Sequence, residues 1–160
     1  MSESEVTGEN RPPHRVVIGQ DAEGRSAAIF DSPPPPVVAN QKYPGVFTGF
    51  LWKEGEKLDI TSQEDGLDTF SDVAVPVGGT RFFRNELGPG VRTAMHTTTT
   101  VEYHRVISGR IIIELEGEDV EARAGDTIVM RGVPHGWYNP SETEPWVSFA
   151  VMVDMSSSFE

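Results

Sequence analysis

The feature that most constrains the fold is a succession of short β-rich runs, each ended by glycine or proline. In the C-terminal half these runs are 80–86, 93–100, 102–107, 110–115, 118–122, 127–130, 135–138 and 146–153. The breaks between them contain Pro89, Gly109, Gly117, Gly125, Gly132 and Pro140. A helical period is hardly visible. Many short strands at such spacing predict an all-β sandwich or barrel.

The residues before this region predict an N-terminal extension of strands. Residues 1–13 are polar and are expected to form a flexible tail. Residues 14–52 are expected to form a β arm and strands, with SPPPP at 32–36 as an extended spacer because proline cannot join a sheet ladder. Residues 53–160 are expected to form the barrel, so that the whole chain is one domain.

Charge and composition limit the partners. The net charge of −12 argues against nucleic acid and anionic membranes, because phosphate binding needs basic patches. The chain has no cysteine, so any metal must be bound through nitrogen and oxygen. The first residues lack the basic-then-apolar pattern of a signal peptide, and no apolar run approaches the roughly 20 residues of a membrane span. We expect a soluble, cytoplasmic protein with a small-molecule partner.

The alternation of side chains along a strand predicts a polar cluster. Successive residues point to opposite faces, so Glu102 and His104 share one face of their strand. His135 and Trp137 share a face of a later strand in the same way. In a barrel one face of each strand lines the lumen. If these faces are the inner ones, His96, Glu102, His104 and His135 converge.

The spacing around this cluster resembles the first cupin motif, G-x5-H-x-H-x3/4-E-x6-G. Gly90, His96, Glu102 and Gly109 occupy the corresponding positions. Thr98 stands where the second histidine belongs. The stretch MHTTTTVEYH is therefore similar to a cupin motif in which one ligand position has changed and a further histidine, at position 104, has been added.

A second segment resembles the second cupin motif, G-x5-P-x-G-x2-H-x3-N. It is GDTIVMRGVPHGWYN at 125–139, in which Gly132, His135 and Asn139 fit. One residue is missing before the proline position, which is Met130 here. Two motifs in this order are far more specific than either alone. The sequence is similar to small bacterial and fungal cupins that carry H-x-T-x-T-x-D/E-Y.

This resemblance implies a cupin jelly-roll β-barrel, also called a double-stranded β-helix, with a pocket at its open end. It also implies a homodimer with exchanged N-terminal strands. Cupins of the full pattern bind Fe, Mn, Ni or Zn through three histidines and a glutamate. Carried over, the expected ligands of one divalent ion are His96, Glu102 and His135. Because Thr98 does not coordinate strongly, a metal-free site is an equal expectation.

The same residues suit acid–base chemistry. Histidine titrates near neutrality, as a general acid or base must. The competing interpretation of His104 is a buried histidine satisfied by one hydrogen bond. The expected catalytic residues are His96, Glu102, His104 and His135. The expected pocket residues are Thr98 and Trp137, although core packing would explain Trp137 equally well.

Three functions are compatible with these residues. The first is a lyase or isomerase, of dehydratase or decarboxylase type, that acts on a small carbonyl-bearing metabolite with or without a metal. The second is an Fe-dependent oxygenase with a two-histidine, one-carboxylate site. The third is a non-catalytic small-molecule-binding cupin. Four arginines are candidates for holding an anionic substrate, and the sequence does not choose among Arg81, Arg84, Arg92 and Arg110.

Overall fold

The computed structural model describes residues 14–33, 37–55, 59, 61–65, 67 and 74–155. These residues form eleven strands: β1 Arg15–Gln20, β2 Ser26–Ser32, β3 Val38–Ala39, β4 Val46–Glu54, β5 Thr80–Leu87, β6 Thr100–Ser108, β7 Arg110–Leu115, β8 Asp119–Arg123, β9 Thr127–Arg131, β10 His135–Tyr138 and β11 Trp146–Asp154. The predicted all-β fold is confirmed. Within the described residues no helix has the length and apolarity needed to cross a membrane. The predicted tail, 1–13, lies outside them.

Two antiparallel sheets form the barrel. The larger has six strands in the order β3-β4-β5-β11-β6-β9, and the smaller has three in the order β10-β7-β8. Apolar side chains from both sheets meet in one core, made of Val46, Leu87, Val106, Ile111, Ile113, Ala122, Met130, Trp137 and Trp146. A second buried cluster contains Phe50, Phe83 and Ala150 of the larger sheet, together with Leu67. The predicted jelly-roll architecture is thus present.

The N-terminal hairpin forms a sheet of its own. Strands β1 and β2 pair only with each other among the described strands. Arg15 Nη1 donates a hydrogen bond to Asp65 Oδ1 over 3.0 Å, and the Phe30 ring lies 6.1 Å from the ring of Trp52. The hydrogen bond from Arg15 lowers the pKa of Asp65. An ion pair and an aromatic contact therefore attach the predicted N-terminal extension to the rest of the protein.

Strand β6 has the alternation that the sequence predicts. Glu102 and His104 are buried, whereas Tyr103 and Ile107 are about half exposed. The inner face of a barrel strand must fill the lumen, and the outer face meets solvent. The strand therefore carries a carboxylate and an imidazole to the inside of the barrel, on neighbouring inward positions.

Two details differ from the prediction. The run 93–100 was expected to be a strand, but β6 begins at Thr100 and residues 93–99 contain only one isolated bridge, His96 to His135. This run crosses from the smaller sheet to the larger one, so it cannot pair along its length. The expected division between residues 52 and 53 falls inside β4, because Val46–Glu54 pairs along its length with β5.

Motif residues outside the cluster explain the turns. Gly109 joins β6 to β7 with φ +72°, and a Cβ there would lie 2.6 Å from the carbonyl oxygen of Pro145. Only glycine fits such a position without strain. Asn139 is fully buried, and its Nδ2 donates to three backbone carbonyls, those of Leu87, Gly88 and Glu144. These two residues hold strand ends together, and neither of them lines the cavity described below.

Candidate functional site

A cavity of about 530 Å³ lies inside the barrel. Aromatic side chains of β4, β5 and β10 form much of its wall, namely Phe50, Phe83 and Trp137. Polar side chains also line it, among them His96, Thr98, Thr100, Glu102 and His104. A concave, largely apolar space with a few convergent polar groups is the usual form of a small-molecule site.

Glu102 is the centre of the polar side. Its Oε1 accepts hydrogen bonds from the hydroxyls of Thr98, at 2.8 Å, and Thr100, at 3.2 Å. Its Oε2 lies 3.1 Å from Nε2 of His104. Burial raises the pKa of Glu102, but the hydrogen bond and charge of His104 and the hydrogen bond of Thr98 outweigh burial and lower this pKa below 4.5. Glu102 is therefore ionised at neutral pH.

His104 is fixed on both of its nitrogen atoms. Because an ionised carboxylate only accepts hydrogen bonds, Nε2 of His104 carries the proton that is shared with Glu102. Nδ1 faces the hydroxyl of Ser148 at 3.4 Å. The imidazole is enclosed by Phe83, 6.5 Å away and perpendicular, and by Trp137, 5.2 Å away. Its orientation is set before any ligand enters.

Ser148 is a site residue that was not predicted from the sequence. The residue is fully buried on β11, in the otherwise apolar run WVSFAV. Its register partner on β6 is Val106, two residues beyond His104 on the same inward face. A polar residue at an inward position of an apolar strand was the available signal, because a buried hydroxyl needs a hydrogen-bond partner.

His96 and His135 form a different pair. Their backbones exchange two hydrogen bonds of 2.9 Å, and their ring centroids are 4.4 Å apart. His96 Nδ1 donates to the carbonyl of Ala94 at 3.0 Å, and His135 Nδ1 donates to the carbonyl of Val133 at 2.8 Å. In a neutral imidazole a protonated Nδ1 leaves Nε2 as a lone pair. Nε2 of His135 is buried and has no hydrogen-bond partner among the described residues.

The four predicted catalytic side chains come together. Burial lowers the pKa of His135, the hydrogen bond to Val133 opposes this effect, and the charge of His96 adds to it. Glu102 and His104 also act on the charge of His135. The lowered pKa makes His135 neutral at pH 7. Four groups predicted from two separate motifs thus interact within one site.

The fit of a metal ion can be judged from the donor atoms. The Nε2 lone pairs of His96 and His135 are the kind of donor that first-row divalent ions take. Both oxygens of Glu102, however, are engaged in hydrogen bonds. Among the described residues no group of three or more His, Asp or Glu side chains is arranged to hold a metal ion. The three-ligand set is not assembled in this arrangement, and metal binding stays a prediction.

The two predicted pocket residues line the cavity. Thr98 contributes its hydroxyl to Glu102, so its role in this arrangement is to orient the carboxylate. Trp137 belongs to the cavity wall and also to the apolar core, where it stacks on Trp146 at 5.5 Å. Trp137 therefore lines the cavity and packs in the core at the same time.

The four candidate arginines differ in whether they line the cavity. Arg84, Arg92 and Arg110 form ion pairs with Glu86, Glu114 and Glu121 respectively, and none of the three lines the cavity. Arg81 lines the cavity and is only 4% exposed. Strand parity alone did not distinguish them, because it gives the face of a strand but not the position of the cavity along that face.

The described strands form a double-stranded β-helix with a polar cluster in its lumen, and known structures share this fold. A solved structure with this fold is the cupin domain of Cnp3 from Schizosaccharomyces pombe, which is 9% identical in sequence and covers 91% of this chain and 90% of that chain with a TM-score of 0.57. Residues 83–152 match the family model described as Cupin domain. This stretch of the chain is therefore a cupin domain.

Its curated relatives come from fungal biosynthesis clusters. Phomopsin biosynthesis cluster proteins C′ and D of Diaporthe leptostromiformis are each 29% identical over 151 residues, which covers 89% of this chain and 78% of the relative. Oryzines biosynthesis cluster protein J of Aspergillus oryzae is 33% identical over 87 residues, which covers 54% of this chain and 48% of the relative. The similarity thus extends well beyond the two cupin motifs in the first pair.

Proposed function

We propose that the protein is a lyase or isomerase that moves a proton within a small carbonyl-bearing molecule. The observation that carries this proposal is the buried, ionised Glu102, hydrogen-bonded to His104 in the wall of a largely apolar cavity. Glu102 is thus a carboxylate that is oriented, deprotonated and shielded from water, and it can accept a proton from a substrate held in the cavity. The biosynthesis-cluster relatives support a role in making a small molecule.

The proton transfer follows from this geometry. Glu102 accepts the proton of a C–H bond next to a carbonyl, and the bonding electron pair becomes part of an enolate. In an isomerase the proton returns to another atom. In a lyase a leaving group on the neighbouring carbon departs with its electron pair. The hydroxyls of Thr98 and Thr100 keep the carboxylate oriented, and Phe50 and Phe83 keep water away, which strengthens the electrostatic interactions inside.

The histidines divide the remaining work. The Nε2–H of His104 donates a hydrogen bond to Glu102, which stabilises the carboxylate before it accepts the proton and again after the proton has left it. His96 lines the cavity, and its Nε2 lone pair accepts a hydrogen bond from a substrate hydroxyl. His135 supports His96 through the backbone bridge and the ring contact. General acid–base groups of this kind contribute typically about 10² to 10⁴ in rate.

Solvent exchange tests this proposal without knowledge of the natural substrate. The purified protein is incubated in D₂O with carbonyl compounds that have exchangeable C–H groups, 4-oxopentanoate, its methyl ester and 2-pentanone among them, and loss of the proton signal is followed by NMR. We expect catalysed exchange that falls at least about a hundredfold in both Glu102→Gln and His104→Ala. The exposed Glu118→Gln is the matched control and should exchange at the wild-type rate. Exchange that is equal in wild type and Glu102→Gln would contradict the proposal.

A second candidate is the Fe-dependent oxygenase. The adjacent Nε2 lone pairs of His96 and His135 favour it, because imidazole nitrogen suits iron. To complete the ligand set, Glu102 would have to leave its present hydrogen bonds with Thr98 and His104. Oxygen consumption that depends on added Fe²⁺ and on both histidines would support this candidate, and turnover under strict anoxia would exclude it.

A further inference from the structure

The cavity has a second pair of polar side chains, on β4 and β5 and away from Glu102. Thr48 and Asn85 are register partners on these two strands, and both line the cavity. The hydroxyl of Thr48 donates a hydrogen bond to Oδ1 of Asn85 over 3.2 Å. The proposed proton transfer makes no use of either residue.

This hydrogen bond leaves the donor side of the Asn85 amide for a ligand. A side-chain amide has one acceptor oxygen and two N–H donors. Thr48 is bound to the oxygen, and within the part of the chain that the structure describes Nδ2 has no hydrogen-bond partner. Asn85 is partly buried and lines the cavity, so a molecule held there can accept a hydrogen bond from it.

The sheet register places Asn85 at some distance from the catalytic carboxylate. Asn85 pairs with Ser148 of β11, which pairs with Val106, four residues beyond Glu102 on β6. Two strand spacings of about 4.8 Å and four residues of about 3.3 Å separate the two backbones, or roughly 16 Å on a flat sheet. Both side chains point into the lumen of a curved wall, so their polar ends are closer than this. A molecule that reaches both is longer than a two- or three-carbon metabolite.

Apolar side chains lie in the row between these two ends. Phe83 is two residues from Asn85 on β5, and its partners across the sheet are Phe50 on β4 and Ala150 on β11. Both phenylalanines line the cavity. A hydrocarbon segment that joins two polar ends of a ligand therefore packs against this row.

We propose, on the basis of the function given above, that the substrate carries a second, uncharged carbonyl oxygen and that Nδ2 of Asn85 binds it. The neighbours of Asn85 on this wall are uncharged, namely Thr48, Val46 and Leu87. A carboxylate at this end would lose its water without gaining a counter-charge, which is costly. A ketone, ester or amide oxygen accepts the hydrogen bond at a much smaller cost.

The substrate class follows from the two ends together. It is a neutral compound with a reacting carbonyl beside Glu102, a hydrocarbon segment along Phe50 and Phe83, and a second carbonyl at Asn85. The hydrogen bond to Asn85 fixes how far the molecule enters the cavity, so it decides which carbon faces the base. Asn85 is thus a substrate-binding residue that distinguishes dicarbonyl compounds from ketones with an apolar end.

Matched ligands test the inference by calorimetric titration of the full chain. 6-Oxoheptanamide has a second carbonyl, 2-octanone has an apolar chain of the same length, and 6-oxoheptanoate has a charged end. We expect the wild-type chain to bind the amide at least about tenfold more tightly than the acid. In Asn85→Leu the affinity for the amide relative to 2-octanone should fall at least about tenfold, because a buried carbonyl without a donor costs about one to two decades in affinity.

Further variants separate ligand binding from folding. Thr48→Val/Asn85→Leu replaces both partners by apolar groups, so no hydroxyl is left unpaired, and it should show the same loss as Asn85→Leu. Thr48→Val alone keeps Nδ2 and should change the relative affinity less than about threefold. The exposed Glu118→Gln should leave it unchanged. A thermal melt of each variant verifies that it is folded.

Three results would overturn the inference. The first is failure of 6-oxoheptanamide to bind to the wild-type chain. The second is a relative affinity for the amide and 2-octanone that stays the same in the folded double variant. The third is binding of 6-oxoheptanoate as tight as that of the amide, which would overturn the assignment to an uncharged group.

Hydrogen exchange in D₂O separates this inference from the proposed function. If binding of 6-oxoheptanamide depends on Asn85 but neither this compound nor 2-octanone exchanges, the second-carbonyl site stands and the proton-transfer function fails. If both exchange at the same rate, and Asn85→Leu changes neither rate, the function stands and the second-carbonyl site fails. If 6-oxoheptanamide exchanges faster, and only while Asn85 is present, both are supported.

Discussion

The two pairs of polar side chains in the candidate site differ in composition and in hydrogen bonding. His96 and His135 have their Nδ1 atoms bound to backbone carbonyls and their Nε2 lone pairs available. Glu102 and His104 are bonded to each other, and two threonines and a serine hold the rest of their polar atoms. The first pair can accept a hydrogen bond or bind a cation through its Nε2 atoms. The second pair, called the closed pair below, has its polar atoms hydrogen-bonded within the protein and contains the ionised carboxylate.

This difference is related to Thr98, the residue at which the sequence departs from the first cupin motif. In the resembling full motif that position holds a metal-binding histidine. Here the threonine hydroxyl donates to Glu102, and His104 donates to the other oxygen of the same carboxylate. The two departures from the motif act on one group, because both supply hydrogen bonds that stabilise its ionised form. Both oxygens of the carboxylate thus have protein hydrogen-bond donors as partners.

The largest difference between the two pairs should appear in the exchange rate when one member of each pair is substituted. Glu102→Gln eliminates the proton acceptor, so exchange into 4-oxopentanoate should fall by about 10² to 10⁴. His96→Gln keeps a polar side chain at the cavity wall and should cost about tenfold or less. Proton NMR in D₂O measures both. Equal losses in the two variants would mean that the pairs act as one unit and that the comparison is wrong.

Metal titration should show whether the His96–His135 pair binds a cation without the help of Glu102. Added Ni²⁺ should bind through the two Nε2 lone pairs, so the double variant His96→Ala/His135→Ala should weaken binding more than tenfold. Glu102→Gln should change this affinity less than about twofold, because the carboxylate is engaged elsewhere. Elemental mass spectrometry of the purified chain accompanies the titration. One tightly held metal that is lost in Glu102→Gln would show that Glu102 joins the histidines.

Ser148→Ala tests how firmly the closed pair is held. The hydroxyl of Ser148 is the polar neighbour of His104 Nδ1, and the distance of 3.4 Å indicates a weak hydrogen bond. We expect a two- to tenfold loss in exchange rate, because the imidazole of His104 is then held by one hydrogen bond fewer. Ser148→Thr should recover part of the rate. A loss in thermal stability with an unchanged exchange rate would assign Ser148 to packing alone.

The smallest effect is expected in the pH dependence of stability. Burial lowers the pKa of His135 below 6.5 in the folded chain, so the unfolded chain binds this proton more readily. The free energy of unfolding should therefore fall as the pH falls below about 6.5. Between pH 7.5 and 5.5, urea unfolding should show a shallower fall in His135→Asn than in wild type. A steeper fall in the variant would contradict the assigned pKa shift.

Glu102 extends this dependence to lower pH. Its pKa is lowered in the folded chain, so its contribution to stability is present above about pH 4.5 and is lost as the pH falls through the folded pKa. Both shifts act in the same direction, and acid should destabilise the protein in two successive ranges. His135 responds first, near neutrality, and Glu102 responds only in acid.

The sequence predicted much of this because its signals are local. Glycine and proline mark the ends of strands, and the alternation of β6 places Glu102 and His104 inside. The motif spacing brought His96 and His135 to the same site. What it could not predict depends on contacts between distant strands: the bond between Ser148 and His104, the position of Arg81 in the cavity, and the interruption of 93–100 where the chain changes sheets.

The isolated bridge between His96 and His135 has a mechanical consequence. His135 belongs to the smaller sheet, and the bridge fastens His96 to it, while Glu102 and His104 belong to the larger sheet. The gap between the two pairs is therefore the gap between the sheets. A ligand that changes the separation of the two sheets therefore changes the distance between His96 and Glu102.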